Sequence, residues 1–234
     1  MHVLKTNINM ITAIGLGLKI MDGVNEFHVL QNVNLSIEKG EYVCINGAMA
    51  SGKSTLLKLF GVLISPSEGE LYVLDQDITH FSEKQMLDFR KGKISYLYSD
   101  SMLLDNLTIE ENIELPLIYL NCSKRERKER VLEQLEIFNL SHKSGIYPKY
   151  LTQSQKQIVA LARCMVINPK LLLADEPTGR LTANQSLEFL SHFEHIHSKG
   201  VTIVLATQSA DIAKDSERVL KMHEGHVGAM SSII

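Results

Sequence analysis

Apolar and polar residues alternate through Ile11–Leu18 and again through Val33-Asn34-Leu35-Ser36-Ile37, the period of two that predicts half-buried strands. Gly40-Glu41 supplies a turn. The pattern then becomes an unbroken apolar run, Tyr42-Val43-Cys44-Ile45, as expected of a strand covered on both faces. Ser54–Phe60 reads as the start of a buried helix, and Ser65-Pro66-Ser67-Glu68-Gly69 as a turn into a strand at Glu70–Leu74. The middle of the chain changes period. Thr108-Ile109-Glu110-Glu111 and Ser123-Lys124-Arg125-Glu126 have the form of capping boxes, predicting helices toward Tyr119 and to Glu136. The second helix places Val131, Leu132 and Leu135 on one stripe beneath a solvated charged face. Beyond it, Gln153–Val166 and Ala183–His197 read as helices. Leu171–Ala174 and Val201–Ala206 read as buried parallel strands, and Arg218–Val227 as a hairpin turning at Glu224-Gly225. The sum is an α/β core in one domain over residues 1–234, interrupted by a helical insert at roughly 95–165.

Composition narrows the classes. A hydrophobic content of 44% supports a full core, and a net charge of −3 with pI near 6.3 gives no basic surplus for nucleic acid. Cys44, Cys122 and Cys164 lie far apart without a Cys-x-x-Cys pair, which favours buried free thiols over a disulfide framework or zinc site. Met1–Asn7 lacks a secretory pattern. The run Met10–Val24 is broken by Gly15, Gly17, Lys19 and Asp22, so direct membrane insertion is not expected.

Chemistry enters at Gly47-Ala48-Met49-Ala50-Ser51-Gly52-Lys53-Ser54, followed by Thr55, which fits the spacing of a phosphate-binding loop between a strand and a helix. Backbone N–H groups of such a loop wrap a polyphosphate. Lys53 reaches its outer phosphates and the Ser54 hydroxyl ligates Mg²⁺. The buried strand at Leu171–Ala174 ends in Asp175-Glu176, two carboxylates placed to hold Mg²⁺ and to polarise an attacking water. A nucleoside triphosphate with Mg²⁺ is therefore the expected ligand.

Tyr42–Leu57, Leu151–Met165 and Leu171–Leu181 together resemble the ATPase subunit of an ABC transporter, and the resemblance covers nearly the whole chain. Asn106–Leu117, Ala174–Gly179 and Leu220–Gly225 are similar to the subfamily of lipoprotein release, macrolide efflux and FtsE-type cell-division complexes. The resemblance implies a P-loop NTPase core with an antiparallel β subdomain and a helical subdomain. It also implies ATP as the nucleotide, a paired second ATPase chain, a membrane-spanning permease as partner, and a peripheral position on the cytoplasmic face of the membrane. Docking would use the helical insert, with Tyr98, Leu103 and Leu104 as candidate contacts, although a core role for these three stays open.

The departures from the family pattern cluster at the chemistry. Ala50 stands where the family loop has a glycine, and Leu151-Thr152-Gln153-Ser154-Gln155 replaces the signature Leu-Ser-Gly-Gly-Gln. The metal- and water-sensing glutamine aligns with Ser99, the following loop's aspartate with Thr182, and the switch histidine with Gln208. An adenine-stacking aromatic aligns with Ile20. Glu176 as general base and Gln208 as switch residue are thus the catalytic candidates, with Ser54, Asp175 and Ser99 at the metal. Two functions follow. One is an ATPase that drives a transporter, with slow hydrolysis; the other is a nucleotide-gated regulatory or assembly subunit with little hydrolysis.

Overall fold

In the computed structural model, residues 9–23 and 25–229 are described; Met1–Asn7 and Val24, which the sequence reading touched, lie outside them. The two alternating stretches at the N-terminus become long strands, β1 (Asn9–Asp22) and β2 (Asn25–Glu38), paired antiparallel. They precede β3 (Tyr42–Asn46), α1 (Lys53–Phe60), β4 (Glu68–Val73), β5 (Gln76–Asp77), α2 (Glu83–Arg90) and β6 (Ile94–Leu97). The helices α3 (Ile109–Tyr119), α4 (Lys124–Ile137) and α5 (Gln153–Met165) follow. The chain closes with β7 (Leu171–Asp175), α6 (Ala183–Ser198), β8 (Thr202–Thr207), the short α7 (Ala210–Ala213), β9 (Arg218–His223) and β10 (His226–Ala229).

Among the described residues these strands form two sheets. One is antiparallel in the order β2-β1-β4-β5. The other runs β10-β9-β3-β8-β7-β6, parallel except for the terminal hairpin. The second sheet divides the core in two. Val43, Ile45, Leu171, Leu173, Val204 and Ala206 point to a cluster shared with the antiparallel sheet and α1. Tyr42, Cys44, Leu172, Ala174, Ile203 and Leu205, the alternate residues of the same strands, point to a cluster shared with α3, α4, α5 and α6.

Local chemistry explains most helix starts. Thr108 and Thr152 each form a reciprocal box, the side-chain oxygen accepting from the backbone N–H three residues on. At Ser123 only half of the expected box forms. Its hydroxyl accepts from Glu126 N at 3.3 Å, with no return bond. In α4, Val131 and Leu135 are buried but Leu132 is 44% exposed, so the predicted stripe is narrower than three residues. A step of one residue turns a side chain by about 100°, enough to carry it off the face that its neighbour buries. Ser95 lies within β6, buried in the large sheet, so the helical segment begins after Leu97. Cys44 and Cys164 are buried free thiols, their pKa values pushed up to about 12 and about 11 by burial, whereas Cys122 is only half-buried.

Candidate nucleotide-binding site

The loop between β3 and α1 is shaped by close approaches. A Cβ at Gly47 would stand 2.2 Å from the Met222 carbonyl oxygen, so only glycine lets the loop lie against β9 there. Gly52 caps α1 at φ +104, in the left-handed region. The hairpin turn pins the loop from outside, with Gly225 N donating to Ser51 O at 3.0 Å and Gln31 N to Gly225 O at 3.0 Å. Ala50 sits at φ +61 with a methyl group, and Met49 beside it is 78% exposed. The left-handed cost falls on alanine, not glycine, by about 1 kcal/mol. Ala50→Gly is therefore expected to stabilise the protein by about that amount, read as a raised midpoint in urea unfolding at unchanged slope.

Lys53 is buried, its side chain 6% exposed. Its ammonium donates to Gly47 O at 2.9 Å and Ala48 O at 2.8 Å, and stands 3.6 Å from Glu176 Oε1. Ser54 Oγ donates to Asp175 Oδ1 at 2.9 Å, so the loop and the end of β7 meet directly. The other oxygen of Asp175 accepts from the Tyr96 hydroxyl at 3.1 Å. Burial beside Asp175 raises the Tyr96 pKa, which keeps that hydroxyl protonated as a donor. Glu176 follows at φ +45, its N–H held by Ala206 O at 2.9 Å. Its Oε1 and the Ser51 Oγ are buried without a hydrogen-bond partner. A buried ammonium, a hydroxyl and two carboxylates form the hard oxygen set and single cation that suit Mg²⁺ on a polyphosphate, so these residues fit MgATP.

Beside Asp175 and Glu176 the remaining sequence candidates scatter. Ser99 is half-buried, and no hydrogen bond among the described residues ties it to Ser54 or Asp175. Asp100 next to it pairs with Arg180 at 3.2 Å. Gln208 is exposed at the end of β8, on the rim of a cavity of about 580 Å³ that also reaches Glu176, Leu181 and Ile212. Thr55 and Ser54 line a smaller cavity of about 280 Å³ over the loop, together with Val29. Thr152 is the N-cap of α5. Its Oγ1 accepts from Gln155 N at 3.3 Å, and Gln155 Oε1 accepts from Thr152 N at 3.1 Å. Gln153 and Ser154 occupy the first turn of that helix, half-buried. Thr182 likewise caps α6.

Two residues went unread in the sequence. Tyr96 is one, because its partner Asp175 is 79 positions away. Phe27 is the second. It pairs directly with Ile20 across β1 and β2 and is 53% exposed. The signal available was an aromatic residue in an alternating strand opposite the aligned Ile20.

The ABC transporter family profile matches residues 30–179, more than half of the chain. This chain belongs to that family. The ABC transporter ATP-binding protein YknY of Bacillus subtilis, itself uncharacterized, is 37% identical over 210 residues, covering 90% of this chain and 91% of its own. The macrolide export ATP-binding/permease protein MacB of Campylobacter jejuni is 35% identical over 89% of this chain, which spans 32% of MacB. Among solved structures, the post-hydrolysis dimer of the ATP-binding cassette MJ0796 with ADP and Pi is similar at a TM-score of 0.86 and 32% identity. That likeness covers 93% of this chain and 96% of that one. The chain is thus an ABC-type ATP-binding subunit with the expected α/β cassette fold. Among the described residues no helix is long and apolar enough to cross a membrane.

Proposed function

We propose that the chain is the MgATP-binding subunit of a membrane transport complex, with hydrolysis at its own site slowed by its altered motifs. The observation that carries this is the meeting of Lys53, Ser54, Asp175 and Glu176 at one point. Lys53 would engage the outer phosphates, Ser54 and Asp175 would hold Mg²⁺, and Glu176 would orient the attacking water. Mg²⁺ bound there would neutralise charge developing on the phosphate oxygens. The N–H groups of Gly47 and Ser51 are taken by Thr207 O and Ala48 O, both at 3.3 Å, so the donors offered to a phosphate would be other N–H groups of the loop and of the N-terminus of α1.

Pairing with a second ATPase chain is supported by the dimeric cassette at TM-score 0.86. A membrane-spanning partner is supported by MacB, which joins ATP-binding and permease parts in one protein; the chain would meet it on the cytoplasmic face. Within the segment between β6 and α3, Leu103 packs against the helical core, while Met102 and Leu104 are 58% and 47% exposed. The segment is held from below. Arg163 donates to Ser101 O and Met102 O, and Asn112 donates to Leu104 O and Leu107 O. Exposure favours Met102 and Leu104 as the docking contacts over the half-buried Tyr98 and the core-packed Leu103. Steady-state ATPase activity measured with and without the membrane partner tests the transport reading. No hydrolysis in either state would favour the nucleotide-gated regulatory subunit, which the changes at Gln153, Ser154 and Gln208 also suit.

The base site carries its own expectation. Leu18 pairs with Leu30, whose side chain packs close to Gly52 of the phosphate loop. Ile20 lies two residues further on the same face of β1, about 7 Å along the strand, with Phe27 opposite. Phe27 thus offers the aromatic face that Ile20 lacks. Phe27→Ala is expected to weaken binding of fluorescent ATP and GTP analogues alike, by about fivefold. Unchanged affinity would place the base elsewhere.

A further inference from the structure

We infer that Tyr96 is a positioning residue for Asp175, tying the metal-binding carboxylate to the helical segment; this rests on the reading of Asp175 as a holder of Mg²⁺. Asp175 receives one hydroxyl on each oxygen, Ser54 Oγ at 2.9 Å and the Tyr96 phenol at 3.1 Å. An ionised carboxylate has about four acceptor positions. Two donors on opposite oxygens fix the plane of the group, where a single donor would leave it free to rotate. One acceptor position then remains on each oxygen. Ser54 comes from the loop itself, so Tyr96 is the contact that reaches Asp175 from outside the loop.

The far side of Tyr96 leads into the helices. Its ring lies 4.5 Å from that of Tyr98, centroid to centroid, at an interplanar angle of 41°. The Tyr98 carbonyl accepts from Gln157 Nε2 at 2.9 Å, and Gln157 is buried in α5 just past the Thr152 cap. Tyr96 itself packs against the core cluster beside α1. An unbroken run of contacts thus joins Asp175, Tyr96, Tyr98 and the signature helix. Ser99 is too short to take that part and has no bond to Asp175 or Ser54 among the described residues. A one-atom difference decides the matter, since phenylalanine would keep both the packing and the ring contact but lose the donor.

Tyr96→Phe is the test, read as the Mg²⁺ concentration that half-restores tight binding of a fluorescent ATP analogue, with the affinity in EDTA as baseline. The expected result is an increase of about tenfold or more in the Mg²⁺ requirement with the EDTA affinity unchanged, the effect of one lost hydrogen bond to a charged group. Asp175→Asn runs beside it. A Mg²⁺ requirement that moves in Asp175→Asn but not in Tyr96→Phe overturns the role of Tyr96. If it moves in neither, Asp175 is not the metal carboxylate, and the reading on which the inference rests falls first. A Tyr96→Phe variant that loses affinity equally with and without Mg²⁺ marks Tyr96 as a structural support only.

Discussion

Replacing Lys53 with alanine is expected to lower affinity for a fluorescent ATP analogue by about a hundredfold or more. Among the described residues the ammonium is the single buried cation in contact with both the loop carbonyls and Glu176, at 2.9, 2.8 and 3.6 Å. Truncating one member of a buried charge pair costs about 2–5 kcal/mol, because the other charge stays buried and unpaired. Here the unpaired charges would be the phosphates of the ligand and the Glu176 carboxylate at once. Titration under identical salt checks it, with circular dichroism confirming that the variant folds. Affinity equal to the parent's would sink the assignment of the loop as the phosphate site.

The second large effect concerns turnover. The parent is expected to hydrolyse ATP slowly, and the variant Ser99→Gln, Gln153→Gly, Ser154→Gly, Gln208→His to gain about a hundredfold or more in rate. Phosphoryl transfer is governed by positioned donors and fixed charge, and removal of one well-aimed donor costs about 10²–10³ in rate. Gln153 and Ser154 add side chains in the first turn of α5, where the family signature has two glycines; in the proposed pairing those glycines would present bare backbone to the second chain's phosphate. The Thr152–Gln155 box closes the end of that helix, so the hydroxyl's acceptor side serves the cap. Gln208 hangs exposed at the cavity rim near Glu176. Two glycines in a first turn cost the helix about 1 kcal/mol each at most, which the box and the buried face of α5 can absorb. A gain that vanishes on adding Glu176→Gln identifies Glu176 as the base. A parent already fast, and unmoved by the four changes, would mean that the γ-phosphate is held in another way.

The phosphate loop was legible because its chemistry is local. Spacing between Gly47 and Ser54 encodes the turn, and even the left-handed backbone at Ala50 followed from an alignment with glycine. The buried strands β3, β7 and β8 were legible for the same reason, as short apolar runs with charged or glycine-rich ends. α2 was missed although Ser82 and Gln85 form a full capping box, since only Met86 and Phe89 of its eight residues are buried and the hydrophobic signal is thin. Four-residue β6 escaped for want of length. Contacts between distant segments left no local trace. Neither Tyr96 on Asp175 nor Phe27 opposite Ile20 changes any window of the sequence that contains only one partner.

The alternation that splits the core has a genetic consequence. Val204 and Leu205 are chemical neighbours along β8, yet each packs into a different cluster on opposite faces of the sheet. Leu173 and Val204, thirty-one positions apart, stand directly opposite each other and share one cluster. Substitutions at Val204 and Leu205 should therefore combine almost independently, while those at Leu173 and Val204 compensate or aggravate one another. Co-variation in this chain is thus expected to skip along strands by twos and to cross between them in register. The face toward the helices, which also receives Leu103 from the segment between β6 and α3, can then drift with its partner while the face behind the phosphate loop stays as it is.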